Sequence, residues 1–187
     1  MTTGSSDDEQ DWAMTEPGAH PRAEVYLAGL LLAGRRVVVV GGGAVALRRV
    51  HRLLAAGAQV VVIAPEAAAP LREQADAGRL RWLARGYRPG DLHGAWYAVA
   101  ATNDPQVNAL VTAEAEAARL FCVRADESRR GTALTPAAGS AAGLRVGVVS
   151  EGDADPRRAA AARDAILTAL QSGHLPVPPP SRPGRRA

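Results

Sequence analysis

Apolar residues along this chain come in two rhythms that take turns. Arg36–Val40 is an almost unbroken β-branched run, the pattern of a strand buried on both faces. Residues 44–56 follow a helical period instead. Val50, Leu53, Leu54 and Gly57 fall at i, i+3, i+4 and i+7 on one face, with Arg48, Arg49 and Arg52 nearby for solvent or ligand. The alternation continues with a second buried strand at 59–64, a helix near 67–77, and short strands at 80–84 and 95–101. A helix opens at Asp104 or Pro105 and runs to about Ala118. Strands at 120–124 and 144–149 follow. A closing helix spans 156–170, with Pro156 just inside its start and Gly173 just past its end. Strands alternating with helices predict right-handed βαβ units. The expected fold class is α/β, a doubly wound, mostly parallel sheet with a short C-terminal strand and helix extension.

The junction of the first strand and helix carries candidate chemistry. Gly41, Gly43 and Ala46 occupy the three positions of G-x-G-x-x-G/A, with Gly42, Ala44 and Val45 between them. In that pattern the first glycine permits the tight turn and the second lets backbone approach a pyrophosphate. The small third residue lets helix and strand pack closely. Helix N–H groups exposed at such a turn attract phosphate charge. Here the glycines follow a strand pattern, open a helix pattern and precede a second strand within about 25 residues, as the mechanism requires. A Rossmann-type dinucleotide site is therefore expected. The acidic residue that would hold the ribose hydroxyls is not at the end of the second strand. Ala64 and Pro65 stand there with Glu66 just beyond, which leaves NAD against NADP open. After the fourth strand, "AATNDPQVN" puts Thr102 and Asn103 beside the cofactor crevice. Asp104 reads equally well as a helix cap.

Composition narrows the class of partner. At 187 residues and 47% hydrophobic, the chain can bury one core of ordinary size. The formal charge of +3 is carried without a single lysine. Guanidinium groups fork onto carboxylates or phosphates, so an anionic ligand is one reading and a preference for arginine codons is another. No dense basic run with interleaved aromatics speaks for nucleic acid. No apolar run approaches the roughly 18 residues of a membrane span, and the acidic N-terminus is unlike a signal peptide. One cysteine, Cys122, excludes an internal disulfide and reads as a small buried hydrophobe of the fifth strand. A soluble cytoplasmic protein is expected. His20, His51, His93 and His174 form no ligand pair, and no protein metal site is expected. Trp82 and Trp96 read as core residues of strands. Residues 1–23 lack periodicity and read as a disordered tail. Residues 174–187, "HLPVPPPSRPGRRA", read as an extended tail or an interdomain linker. Between the tails we expect a dinucleotide-binding domain over 24–125 and a substrate-side or dimerisation extension over 126–173. The Gly/Ala-rich segment 126–143 reads as a long functional connector.

Three stretches together resemble a known family: "YLAGLLLAGRRVVVVGGGAVALRRVHRLLAAGAQVVVIAPE", "GAWYAVAATNDPQVN" and "LFCVRAD". They are similar to the NAD-dependent precorrin-2 dehydrogenases, which form the dehydrogenase/ferrochelatase module of siroheme synthases. The resemblance covers about residues 25–171. The triple glycine followed by Ala-Val-Ala, the Ala-Ala-Thr-x-Asp after the fourth strand, and the Phe-Cys before a strand-end aspartate carry it most specifically. It implies oxidation of precorrin-2 to sirohydrochlorin with NAD as hydride acceptor, in siroheme biosynthesis. In many members ferrous iron is then inserted as a second substrate. It further implies Asp126 as the catalytic acid/base for both steps, dinucleotide contacts at Ala44, Val45, Pro65 and Glu66, and a homodimer. A carboxylate within reach of the crevice can take the proton whose loss accompanies hydride removal. The macrocycle's own nitrogens would hold the iron. The substrate carries many carboxylates, so Arg124, Arg129 and Arg130 are expected to meet it, with Arg157 and Arg158 as further candidates.

The chain also departs from that family's pattern. Val123-Arg124-Ala125 replaces the usual Asn-Val-Val before the aspartate, "RRGTALTPA" lacks the usual aromatics before Pro136, and "SEGDADPRR" replaces a Ser/Gly-rich turn. These changes bear on chelation more than on dehydrogenation. Two other readings stay open. One is a non-catalytic dinucleotide-sensing module; the other is a chelatase without redox activity.

Overall fold

The computed structural model describes residues 24–151 and 155–179. The expected disordered segment 1–23 and residues 180–187 of the expected linker lie outside the described residues. Within them the alternation read from the sequence appears as β1 (Arg36–Val40), α1 (Ala44–Ala55), β2 (Gln59–Ile63), α2 (Ala69–Asp76), β3 (Arg81–Leu83), β4 (Tyr97–Ala100), α3 (Pro105–Ala117) and β5 (Phe121–Arg124). A single 3-10 turn at Ser128–Arg130 leads to β6 (Ala137–Ala141), β7 (Leu144–Val148) and α4 (Pro156–Gln171).

β1 to β5 form one all-parallel sheet in the order β3-β2-β1-β4-β5. Alternate residues of β1 face opposite sides. Val37 and Val39 join Ala46, Val50 and Leu53 of α1 and Leu71 of α2 in one apolar cluster. Val38 and Val40 join Val111 and Ala115 of α3 in a second. Both faces are thus covered, which is why the strands read as continuous apolar runs rather than alternating ones. Asp104 caps α3, its Oδ1 accepting from the Gln106 N–H at 2.8 Å, and Pro105 supplies the first helical position. Cys122 is fully buried inside β5. Among the described helices none is long and apolar enough to cross a membrane.

Three expectations need correction. Residues 137–141 are not connector but strand, and they pair antiparallel with β7, the expected C-terminal strand, as a separate hairpin, Ala141 opposite Leu144. Ala-Ala-Gly-Ser-Ala carries neither β-branched residues nor alternation, so nothing local announces it. Packing makes the strand: α4 lies across the hairpin, and a Cβ at Gly139 would strike the Leu167 side chain. Trp96 lies outside β4 and is 58% exposed; the Arg35 guanidinium sits 3.6 Å from its ring centroid. Trp82 is only partly buried on β3, at the sheet edge, its indole N–H donating to the Ala64 carbonyl at 3.0 Å.

The other sheet edge, β5, is closed by the chain itself. The Cys122 N–H donates to Thr132 Oγ1 at 2.8 Å, and its carbonyl accepts from the Ala133 N–H at 3.1 Å. Gly131 lies so close to β5 that a Cβ there would be 2.6 Å from the Cys122 carbonyl oxygen. The chain after β5 thereby doubles back along the edge of that strand.

The hairpin turns through Ala142 and Gly143, both at positive φ (49° and 74°). Two-residue hairpin loops favour that geometry, but alanine disfavours it by roughly 1–2 kcal/mol. Ala142→Asn should therefore stabilise the protein by up to about 1 kcal/mol, read as a raised urea midpoint with an unchanged slope.

Candidate functional site

The sheet order reverses direction at β1, whose neighbours β2 and β4 come from opposite chain directions. A crevice outside the carboxyl ends of β1 and β4 follows from that topology. The glycine turn fills one side of it. A Cβ at Gly41, which has φ +123°, would strike the Ala101 carbonyl, and one at Gly42 would strike the Glu66 carbonyl. At Gly43 a Cβ would meet nothing within 4 Å. Gly43 is also the N-cap of α1, so no side chain caps the helix, and its first turn holds no acidic residue. The turn therefore presents uncapped N–H groups to open space, a fit for the phosphates of a dinucleotide. Ala44 and Val45 are exposed along that first turn, while Ala46 is fully buried against the sheet.

Pro65 and Glu66 both lie exposed at the end of β2. Glu66 faces Gly42 through its backbone carbonyl, and the Ala68 N–H donates to the Gly42 carbonyl at 2.9 Å. The loops after β1 and β2 are thus stitched together.

Thr102 and Asn103 follow β4 at the same crevice, Asn103 exposed and Thr102 partly so. A residue the sequence reading did not single out holds them there. Asn108 on α3 is fully buried. Its Oδ1 accepts from the Thr102 N–H at 3.0 Å and lies 2.8 Å from the Thr102 hydroxyl, while its Nδ2 donates to the Thr102 carbonyl at 3.1 Å. The available signal was an asparagine on the helix face it shares with Val111 and Ala115, a polar group among apolar neighbours that needs a partner.

Asp126 stands two residues beyond β5, at the neighbouring strand end. Arg124, itself buried, donates to it through Nε at 3.0 Å and Nη2 at 3.1 Å. The same Nη2 lies 3.0 Å from Glu127 Oε2 and 3.3 Å from the Pro105 carbonyl. The Arg124 guanidinium holds the Asp126 carboxyl below its ordinary value of 3.8. Asp126 is therefore ionised at neutral pH and has the charge state of a proton acceptor. It lines a cleft of about 490 Å3 bounded by α1, the end of β5, the β6–β7 hairpin and the start of α4.

The structure brings Arg124 to this cleft with its guanidinium committed to Asp126 and Glu127. It brings neither Arg129 nor Arg130. Arg129 lines a second cavity of about 520 Å3 beside Tyr26 and Leu27, and Arg130 is paired with Glu127 at 3.2 Å. Arg157 and Arg158 are exposed at the start of α4. The arginines that line the Asp126 cleft with Arg124 are Arg48, Arg49 and Arg52 of α1 and Arg163 of α4.

The NAD_binding_7 model, an NAD(P)-binding family, matches residues 29–137. The chain belongs to this family. The match runs from just before β1 to the first residue of β6, so the NAD(P)-binding family fold holds the glycine turn, the Thr102 loop and Asp126 together. The chain is 41% identical over 143 residues to the siroheme synthase of Azotobacter vinelandii, an overlap of 76% of this chain and 31% of that protein. It is also 41% identical over 110 residues to siroheme synthase 3 of Aeromonas hydrophila subsp. hydrophila, covering 59% and 24% respectively. Among solved structures it is similar to SirC, a precorrin-2 dehydrogenase, with a TM-score of 0.68 at 28% identity over 80% of this chain and 73% of that one. The chain spans a quarter to a third of the length of these siroheme synthases.

Asn108→Ala strips the Thr102 backbone of both buried partners and should destabilise the protein by about 1–3 kcal/mol in urea unfolding. Asn108→Asp sets a buried carboxylate oxygen against the Thr102 carbonyl and should be at least as destabilising at neutral pH.

Proposed function

We propose that this chain oxidises precorrin-2 to sirohydrochlorin with NAD, as a dehydrogenase of siroheme biosynthesis. One observation carries the reading: an ionised Asp126 at a strand end, in a cleft that shares α1 with the glycine turn. The similarity to SirC and to siroheme synthases supplies the substrate class.

NAD, when bound, supplies the acceptor for a hydride. The remaining work belongs to the chain. Gly41, Gly42 and Gly43, with the first turn of α1 through Ala44, Val45 and Ala46, would hold the pyrophosphate. Pro65 and Glu66 would border the ribose, with Thr102 and Asn103 across the crevice. Asp126 takes the proton that leaves the substrate as its ring carbon gives up hydride, so two electrons and two hydrogens depart in all. Arg124 positions Asp126 and keeps it ionised before the reaction. In this reading residues 24–125 form the cofactor half and 126–173 the substrate half. A homodimer and a cytoplasmic place belong to the same reading. Ferrous iron, where inserted, is a second substrate whose entry would use Asp126 to accept pyrrole protons.

The test is an anaerobic assay with NAD and precorrin-2. Wild type should turn over, and Asp126→Ala should lose about 10²–10⁴-fold in kcat, the usual range for a positioned base. Undiminished turnover in that variant removes Asp126 from the mechanism. NAD binding by wild type without turnover would favour the sensor reading, and nicotinamide-independent metal insertion the chelatase one.

Arg124→Gln offers a separate check through pH. The shift at Asp126 is downward, so wild type keeps its base ionised until the pH falls through that lowered value. Without the guanidinium the carboxyl returns toward its ordinary range. The acid limb of the kcat profile should move to higher pH in this variant, while an unmoved limb would mean that Arg124 acts only on structure.

A further inference from the structure

The arginines expected from the sequence to meet the substrate are spent or elsewhere: Arg124 on Asp126 and Glu127, Arg130 on Glu127, Arg129 in another cavity. Three others face the cleft from α1. The geometry points to Arg48, Arg49 and Arg52 as the carboxylate-binding wall of this cleft, receiving the acidic side chains at the rim of a tetrapyrrole and setting the ring against Asp126. This assignment rests on the function proposed above and deepens it.

Four observations carry it. First, the three side chains crowd one short helix that contains no acidic residue. Arg48 and Arg52 stand at i and i+4, and Arg49 and Arg52 at i and i+3, spacings at which like charges disfavour the helix by a few tenths of a kcal/mol per pair. Arg52 gains from the carboxyl end of the helix, but Arg48 and Arg49 have no such support, and an anion from outside the helix would relieve all three. Second, the ion pairs among the described residues engage Arg85, Arg124, Arg130 and Arg163 and none of these three. Arg163, on the opposite wall, already holds Asp164 at 2.7 Å. Third, Arg49 is only partly exposed. Burial disfavours its charged form, with Arg52 and Arg48 adding to the effect and only Tyr97 opposing it. A half-buried guanidinium without a carboxylate is a group poised for one. Fourth, the same cleft is lined by Val123, Leu134, Pro136 and Val148. Apolar walls suit the face of a macrocycle, while forked guanidinium groups suit carboxylates projecting from its edge.

The cofactor's phosphates are the other anions within reach of α1, and the experiment separates the two. Sirohydrochlorin is titrated anaerobically, without nucleotide, into wild type, Arg49→Gln and Arg48→Gln/Arg52→Gln. NAD binding to each is measured in parallel, and kcat and KM for precorrin-2 are taken at saturating NAD. Arg72→Gln/Arg79→Gln, two exposed arginines away from the cleft, controls for the change in net charge.

The assignment expects the Kd for sirohydrochlorin and the KM for precorrin-2 to rise about tenfold or more per arginine, the scale of a lost charge-assisted hydrogen bond. It expects a weaker dependence of sirohydrochlorin affinity on salt, NAD affinity within about twofold of wild type, and no such changes in the control pair. Lost NAD binding with intact sirohydrochlorin affinity would hand the arginines to the cofactor and overturn the assignment. Equal losses in the control pair, or none in either, would overturn it as well, leaving the arginines as solvated surface charge. In each of those cases wild-type turnover of precorrin-2 keeps the proposed function standing. Failure of wild type to bind sirohydrochlorin at all would remove both.

Discussion

The site depends on a close backbone crossing at the end of β1. The Gly41 N–H donates to the Ile63 carbonyl at 2.9 Å, and the Ala101 N–H donates to the Val40 carbonyl at 2.8 Å. The chain leaving β1 is thus pinned between β2 and β4 at the point where it turns into α1. The Ala101 and Glu66 carbonyls occupy the space where side chains at Gly41 and Gly42 would project. Any other residue type would push the β2 and β4 loops apart and open the crevice. This constraint also explains why Gly43, with nothing near it, is free to face a ligand: the two preceding glycines fix the chain, and the third leaves the helix end bare.

From that crossing the electrostatics of the cleft follow. α1 starts at the turn and runs along the cleft, so the helix that offers N–H groups to a phosphate also carries three arginines further on. Arginine is put to two uses around Asp126. Arg124 is buried and fully engaged, and its effect is to fix the protonation state of one carboxylate. Arg48, Arg49 and Arg52 have no carboxylate among the described residues, and their effect is a positive potential. A low-dielectric wall concentrates such a potential, and Asp126 with its own guanidinium partner adds little to cancel it. The result is a carboxylate that stays ionised beside a surface that attracts anions.

How far these features were legible depended on whether the signal was local. The five parallel strands were readable because burial on both faces leaves unbroken apolar runs, and the Gly41–Ala46 turn because its constraints fall on residues adjacent in sequence. β6 was not readable, since Ala137–Ala141 becomes a strand only through α4 and the space left by Gly139. Trp96 was misplaced for a related reason. An aromatic next to a strand pattern suggests core, but Arg35 holds the indole on the surface. Asn108 was passed over because its partner, the Thr102 backbone, lies on a loop whose path is set by tertiary structure. The arginines show the same limit most clearly. Sequence placed Arg129 and Arg130 near Asp126 by chain distance, whereas Arg48, Arg49 and Arg52 share its cleft from a helix far away in the chain.

The replacement of Asn-Val-Val by Val123-Arg124-Ala125 bears on chemistry more than its position alone suggests. At residue 124 the departure puts a guanidinium against the aspartate at 3.0 Å where the family's usual residue is apolar. A carboxylate so paired is a weaker base but is always available to accept a proton, and it is a poor reservoir of protons to give back. In the proposed reaction, dehydrogenation asks Asp126 for one proton acceptance per turnover, with bulk water to take the proton afterwards. Chelation asks the same group to collect successive pyrrole protons while a dication approaches, and Arg124 adds a fixed positive charge beside that path. At neutral pH the pair is compatible with the first task and works against the second. The substitution therefore inclines the cleft toward oxidation on electrostatic grounds, independently of the absent aromatics and the altered turn before α4.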